Sequence, residues 1–185
     1  MTTLFFATAI MLVSGQNSYR VGIDFDAGLI PLFNVDNGTF TKGKFSPGFT
    51  LQVEKILTDR YSAGLTSAFM WISSKNSEKP RFITSQMVSG SAAFRLHENI
   101  FLLLSLAAGL SIWPEDPDDN LKLGTDLSKT RFGWSFKGSL TFAYRLNHRF
   151  WAHLGASYFV SNTTGDNTSV VFDTTTLIAG FKTTF

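Results

Sequence analysis

Residues 131–146 alternate between apolar and small or polar side chains over sixteen positions. One face carries Phe132, Trp134, Phe136, Gly138, Leu140, Phe142, Tyr144 and Leu146. A period of two is that of a β-strand, whose successive side chains point to opposite faces. Strands in globular proteins usually have about 5–6 residues. The segment therefore predicts an unusually long strand with one apolar, aromatic-rich face.

The same period recurs along the rest of the chain. It is found in segments 19–29, 45–57, 61–72, 82–96, 100–113, 150–161 and 171–185. The segment 100–113, IFLLLSLAAGLSIW, is the least regular and by itself would also fit a buried helix. Its position between turn signals favours a strand. We therefore predict an all-β chain of eight strands.

The connections between these strands alternate in length. The short ones are the polar turns Thr58-Asp59-Arg60, His97-Glu98-Asn99 and Asn147-His148-Arg149. The long ones are 34–44, 73–80, 114–128 and 162–168. Short turns at one end and long loops at the other are typical of an up-and-down barrel in a membrane.

Composition excludes several other classes of protein. Charged residues make up 16% of the chain, against about 25% in ordinary soluble domains. The 19 Phe residues and the net charge of +2 argue against disorder. The absence of Cys excludes disulfides and thiolate metal sites. No basic patch predicts binding to nucleic acid, and nothing in the sequence predicts a cofactor.

Side-chain size decides which face of the sheet points outward. The less apolar face is mostly Gly, Ser, Ala and Thr with scattered charges. A water-exposed face has no need of such small residues, whereas the interior of an eight-stranded barrel is only just wide enough for side chains to fill it. We therefore expect the bulky face to contact lipid. The alternative is a soluble, lipocalin-like ligand-binding barrel with the opposite orientation.

The N-terminus has the features of an export signal. Residues 4–13, LFFATAIMLV, are apolar and too few to span a bilayer as a helix, and small and polar residues follow them. Thr2 and Thr3 stand where Lys or Arg is expected. We predict a signal peptide at 1–16 and a single barrel domain at 17–185, with a first β-strand or a buried segment as the alternative for the leader.

Eight long strands, three tight turns, four long loops and the terminal Phe185 resemble the small outer-membrane β-barrel family, which includes OmpX-like proteins and the OmpA-like barrel domain. The resemblance implies a closed eight-stranded antiparallel transmembrane barrel in the outer membrane of a Gram-negative bacterium. In that family the barrel assembly machinery reads the end of the last strand. Gly180, Phe181 and Phe185 match that signal, and Thr183 departs from it.

Charges on the small, polar face are the first candidate functional residues. Assigned by parity, with one histidine, the predicted lumen polar network is Arg20, Asp24, Asp26, Glu54, Arg95, Arg131, Lys137, Arg145, His153 and Lys182. Buried charges are costly unless they are paired. We expect Glu54 near Arg20 and Lys182 towards the short-turn end, and Asp26 with Lys137 nearer mid-height. Such a network fits a structural plug, and a narrow ion channel is the alternative.

The sequence predicts no catalytic and no metal site. Lipid-modifying enzymes on such barrels need a nucleophile within about 3 Å of a base, and Ser157 lies about 13 Å along the strand from His153. In the acidic loop, Asp116, Asp118 and Asn120 mimic calcium ligands, but Leu121 stands where that loop needs Gly.

The expected role is therefore non-enzymatic, structural or through surface contacts of the long loops, with a lipid-modifying outer-membrane enzyme as the alternative. Its partners would be outer-membrane lipid and lipopolysaccharide, the assembly machinery during biogenesis and an unknown loop partner, with the chain as a monomer.

Overall fold

The structure is a computed structural model made almost entirely of β-strands. It describes residues 18–29, 31–35, 39–75, 77, 79–115, 121, 130–164 and 169–185. Its strands are β1 (Tyr19–Gly28), β2 (Leu32–Val35), β3 (Thr39–Lys42), β4 (Ser46–Ile56), β5 (Tyr61–Ile72), β6 (Arg81–Arg95), β7 (Ile100–Trp113), β8 (Arg131–Arg145), β9 (Phe150–Thr164) and β10 (Ser169–Thr184). In the described part of the chain, no helix is long and apolar enough to cross a membrane.

The sheet closes on itself as an antiparallel barrel. Each of β4 to β9 pairs with the next strand in sequence, and β1 pairs with β4 on one side and β10 on the other. The closing register runs from Arg20 opposite Thr184 to Gly28 opposite Thr176. Because every barrel strand has two neighbours, the backbone needs no other hydrogen-bond partners, which is the condition for strands in hydrocarbon. The predicted eight-stranded fold is confirmed.

The first two barrel strands are each interrupted near the long-loop end. Strand β10 pairs with β1 over its lower part and with β2 over residues 170–173, so β2 continues the line of β1 beyond Leu29. On the other side, β2 pairs with β3, which precedes β4. Part of the predicted loop 34–44 is therefore strand. The hairpin forms because β2 buries Phe33 and Val35 inside the barrel.

Strand β9 also extends further than the alternation alone predicts. It runs to Thr164, with Thr163 opposite Val170 of β10. The predicted loop 162–168 is therefore shorter than expected. Pairing with a neighbour carries the strand past the point where its side chains stop alternating.

Apolar side chains cover the outside of the barrel. Phe132, Leu154 and Phe181 have 67%, 63% and 57% of their surfaces exposed. The predicted direction of the bulky face is thus confirmed. A soluble barrel would bury these side chains, whereas a transmembrane barrel presents them to lipid.

Strand β7 resolves the ambiguous segment 100–113. Leu103, Ala107 and Trp113 are buried inside, while Leu104 and Leu110 of the same strand are 43% and 67% exposed. The segment by itself also fits a buried helix because both of its faces are apolar. Neighbouring strands on both sides fix it as a strand.

Polar side chains in the short turns hold the turn backbone. Thr58 Oγ1 accepts hydrogen bonds from the amides of Arg60 and Tyr61 at 3.2 and 3.1 Å. Asn147 Oδ1 accepts from the amides of Arg149 and Phe150 at 2.8 and 3.0 Å. Such local bonds favour a tight turn over a continued strand, which explains why these polar triplets end the strands.

Candidate functional site

The interior of the barrel contains two layers of different chemistry. The half nearer the short turns holds the paired charges, and the half nearer the long loops holds an apolar core with buried Ser and Thr side chains around it.

Lys137 and Asp26 form the centre of the polar layer. Lys137 Nζ lies 2.7 Å from Asp26 Oδ1 and 2.6 Å from Thr50 Oγ1. Thr50 in turn donates to Asp26 Oδ2 at 2.6 Å, and Thr176 donates to Asp26 Oδ1 at 3.5 Å. The ion pair connects β8 with β1 across the barrel. Its buried charges are compensated by pairing and by these hydroxyl contacts, as such charges require.

Asp24 of β1 and His153 of β9 form a second contact, which passes over the strand between them, β10. His153 Nε2 lies 2.6 Å from Asp24 Oδ1, and Gln52 Nε2 donates to Asp24 Oδ2 at 3.3 Å. Ser157 instead pairs with Thr176. Among the described residues, no nucleophile completes this pair as a catalytic triad would require.

Gly180 makes the Asp24–His153 contact possible. It lies directly opposite Asp24 on β1 and opposite His153 on β9. A Cβ at this position would lie 2.5 Å from Asp24 Oδ1 and 2.8 Å from His153 Nε2. Only glycine leaves the space in which the carboxylate and the imidazole meet.

Glu54 is the centre of the lowest group in the polar layer. Lys182 Nζ and Arg20 Nη1 lie 3.6 and 4.0 Å from Glu54 Oε2. Ser62 and Ser91 donate to the two carboxylate oxygens at 3.1 and 2.6 Å. The structure thus brings Arg20 and Lys182 to the same carboxylate, towards the short-turn end.

Three other arginines assigned to the lumen by parity lie at the ends of the strands. Arg95 is exposed and Arg145 is half-buried, both at the short-turn mouth. Arg95 Nε donates to His97 O at 3.3 Å, and Arg145 Nη2 donates to Glu98 O at 3.2 Å. Arg131 is half-buried at the long-loop start of β8. The parity of a residue predicts which face of the sheet its side chain is on, but not its height along the barrel axis. These three arginines were therefore predicted to belong to the same network as the charges of the polar layer.

The long-loop half of the interior is an apolar core. Its members are Phe33, Val35, Ala68, Met70, Ile72, Ile83, Met87, Ala107, Trp113, Leu121, Phe159, Val170 and Phe172. Phe33 and Phe159 pack on Phe172 at centroid distances of 5.1 and 6.3 Å. Trp113 Nε1 donates to Ser161 Oγ at 2.9 Å.

The apolar core is absent from the predicted site. The sequence did contain an indication of this core, because Phe159 and Trp113 are large apolar residues at inward-facing positions of their strands. The core forms only when residues from β2, β5, β6, β7, β9 and β10 meet, and no single segment indicates that meeting.

The predicted assembly signal is divided between the two faces. Phe181 and Phe185 point outward with 57% and 70% of their surfaces exposed, whereas Gly180 points inward. The calcium-like residues Asp116, Asp118 and Asn120, and the predicted leader, lie outside the described residues. Within the described ranges, no three His, Asp or Glu side chains cluster as metal ligands.

Comparisons with protein-family models and with curated protein sequences found no match for the chain.

Among solved structures, the chain is similar to Neisserial surface protein A, with a TM-score of 0.57 and 16% identity over 90% of this chain and 97% of that one. The attachment invasion locus protein Ail of Yersinia pestis has a TM-score of 0.47 and 17% identity, over 92% of this chain and 100% of that one. OprG of Pseudomonas aeruginosa has a TM-score of 0.47 and 14% identity, over 91% and 95%. The closed sheet, its apolar exterior and the first of these likenesses together identify the fold as that of the small eight-stranded transmembrane β-barrels of outer membranes.

Proposed function

We propose that this protein is an integral outer-membrane barrel with a sealed lumen, and that it acts without catalysis, through membrane structure or contacts made at its loop end. The observation that carries the proposal is the filling of the interior by two successive layers. A chain that transports solute through its lumen needs an open path, and the apolar core lies across that path.

The polar layer supports a structural role in place of ion conduction. Asp26, Glu54 and Asp24 each contact a basic partner at 4.0 Å or less. Carboxylates that are paired with basic side chains across strands stabilise the register and are not free to bind a permeating cation. The apolar core above them adds a barrier that is expensive for any ion to enter.

The outer surface supports residence in the outer membrane. Exposed apolar side chains surround the barrel, and aromatic residues stand at both ends of it: Tyr61, Phe94, Tyr144 and Phe150 near the short turns, and Phe45, Trp71 and Trp134 nearer the long loops. Two such belts suit the two membrane interfaces. Lipid and lipopolysaccharide would be the surrounding partners, and residues 1–16 would direct export. The chain would need no second copy, because the sheet has no free edge along its closed part.

Planar-bilayer recordings combined with gel mobility test the proposal. The unheated, folded protein should migrate differently from the boiled one, should fractionate with outer membranes, and should give no steady conductance in a bilayer. A wide, steady pore formed by the unmodified protein would contradict the sealed lumen. Recovery in the soluble fraction without heat-dependent mobility would contradict the membrane assignment.

A further inference from the structure

A cavity lies at the end of the barrel that carries the short turns, outside the polar layer and the apolar core described above. Its volume is about 670 Å³, and four arginines line it together with His148: Arg20, Arg60, Arg95 and Arg145. Asp59 is the one acidic residue among the described lining residues. The volume is within the range of small-molecule pockets, about 300–1,000 Å³.

An aromatic pair forms the inner wall of this cavity and orients two of the arginines. Phe101 and Trp151 pack with their centroids 4.5 Å apart. The guanidinium carbon of Arg20 lies 5.0 Å from the Trp151 ring centre, and that of Arg145 lies 5.6 Å from the Phe101 ring centre. A guanidinium that lies over a ring face keeps its N–H donors in its own plane, where they can bond to a ligand at its edges.

The same aromatic pair belongs to an apolar wall of the cavity. Leu103, Ala143 and Trp151 form a small buried cluster, against which Phe101 and Ala93 pack. The cavity opens at the short-turn end, where turn residues line it. A molecule entering it would stay in contact with the arginines.

Charge balance at the mouth favours an anion. The Glu54 carboxylate is shared by Lys182 and Arg20. Arg20 Nε is buried, and it has no hydrogen-bond partner among the described residues. Arg95 and Arg145 donate to carbonyl or amide oxygens of the turns, which carry no charge. Each guanidinium has five donors, so donors remain for a ligand.

We propose that this cavity, which we call the arginine mouth, binds a small water-soluble polyanion bearing phosphate or carboxylate groups. Arginine recognises both groups through paired N–H donors. A ligand with several charges can engage more than one of the four guanidiniums at once. Inward parity places Arg20, Arg95 and Arg145 in the lumen opening and not on the lipid face, which favours a soluble anion over a lipid headgroup.

The test follows the Trp151 indole signal by NMR in uncharged detergent micelles, with Trp151→Phe used to assign it. Pyrophosphate and citrate are the two probes. We expect pyrophosphate to shift the signal saturably. Citrate acting equally well would extend the ligand class to polycarboxylates, and citrate having no effect would restrict it to phosphates.

Arginine variants test the site itself. Arg95→Gln and Arg145→Gln should each weaken binding by about tenfold, the loss expected for charge-assisted hydrogen bonds. Arg149→Gln is the matched control, because Arg149 is an exposed cation in a turn at the same end and does not line the cavity. If a lining variant does not give the heat-shifted folded band, Arg60→Gln replaces it.

Three results would overturn the proposal. The first is no shift with either probe. The second is an equal loss of binding in Arg149→Gln, which would indicate general attraction to a basic end. The third is a response only to vesicles of anionic phospholipid, which would indicate surface contact with a membrane.

Discussion

At the scale of single residues, glycine at position 180 determines whether two ionisable side chains can meet. Asp24 and His153 belong to strands on either side of β10, and their contact passes over Gly180. The sequence places Gly180 in the predicted assembly signal. The structure adds a packing reason for glycine that is independent of biogenesis.

Gly180→Ala should therefore destabilise the barrel by about 1–3 kcal/mol, the usual cost of overpacking an interior. The added methyl group would press on the backbone carbonyl oxygen of Ile23 as well as on Asp24 Oδ1 and His153 Nε2. Urea unfolding of the protein in lipid vesicles, followed by Trp fluorescence, measures the change.

Gly90→Ala is the matched control for this substitution. A Cβ at Gly90 has Ser62 O at 4.0 Å as its nearest neighbour, so stability should stay within about 0.5 kcal/mol of the parent. Equal losses in the two variants would refute the specific role of Gly180.

At the scale of elements, the short strand β2 contributes more to the interior than its length indicates. Phe33 is fully buried and packs on Phe172 of β10. Pairing with β10 and β3 positions it there. The hairpin thus extends the barrel wall and supplies part of the apolar core at once.

Phe33→Ala should lower the free energy of unfolding by about 3–5 kcal/mol, the typical cost of deleting a buried Phe side chain. Phe33→Leu keeps most of the apolar volume and should cost less than about 1.5 kcal/mol. Chemical denaturation of both variants gives the comparison. Equal, small effects would show that β2 packs loosely and does not help to seal the lumen.

At the scale of the whole molecule, closure depends on the two ends of the described chain. The amide of Tyr19 donates to Phe185 O at 3.2 Å, and the amide of Phe185 donates to Tyr19 O at 2.8 Å. Both bonds use the backbone. The Phe185 side chain points outward with 70% of its surface exposed, so closure does not need an aromatic residue there.

We therefore expect Phe185→Ala to separate folding from assembly. The purified variant should refold in detergent with the parent's heat-shifted mobility, since the closing backbone bonds remain. Its level in the outer membrane of cells should fall, because the substitution removes the terminal aromatic residue of the predicted assembly signal. Leu177→Ala serves as the control, because Leu177 lies on the same outward face of β10 with 51% of its surface exposed and is not part of the predicted assembly signal. Refolding that fails in detergent would mean that the side chain acts on stability and not on assembly.

Alternation along each strand predicts eight strands and the order of short and long connections, and the small size of the less apolar side chains predicts that the bulky face points outward. The physical reason is that side-chain parity is a local property of an extended backbone. Even the pairs around Glu54 and between Asp26 and Lys137 were expected from parity and position. The hairpin of β2 and β3 was not, because it depends on pairing with β10 rather than on its own period.

Only the closed barrel decided which of the remaining inward side chains lie at the same height and contact one another. Strand register placed His153 beside Asp24 and collected the apolar inward residues into one core at the long-loop end. It also brought arginines from three strands and a turn around one cavity at the opposite end. These neighbours are far apart in sequence, and a repeat of two residues carries no information about where one strand stands relative to another.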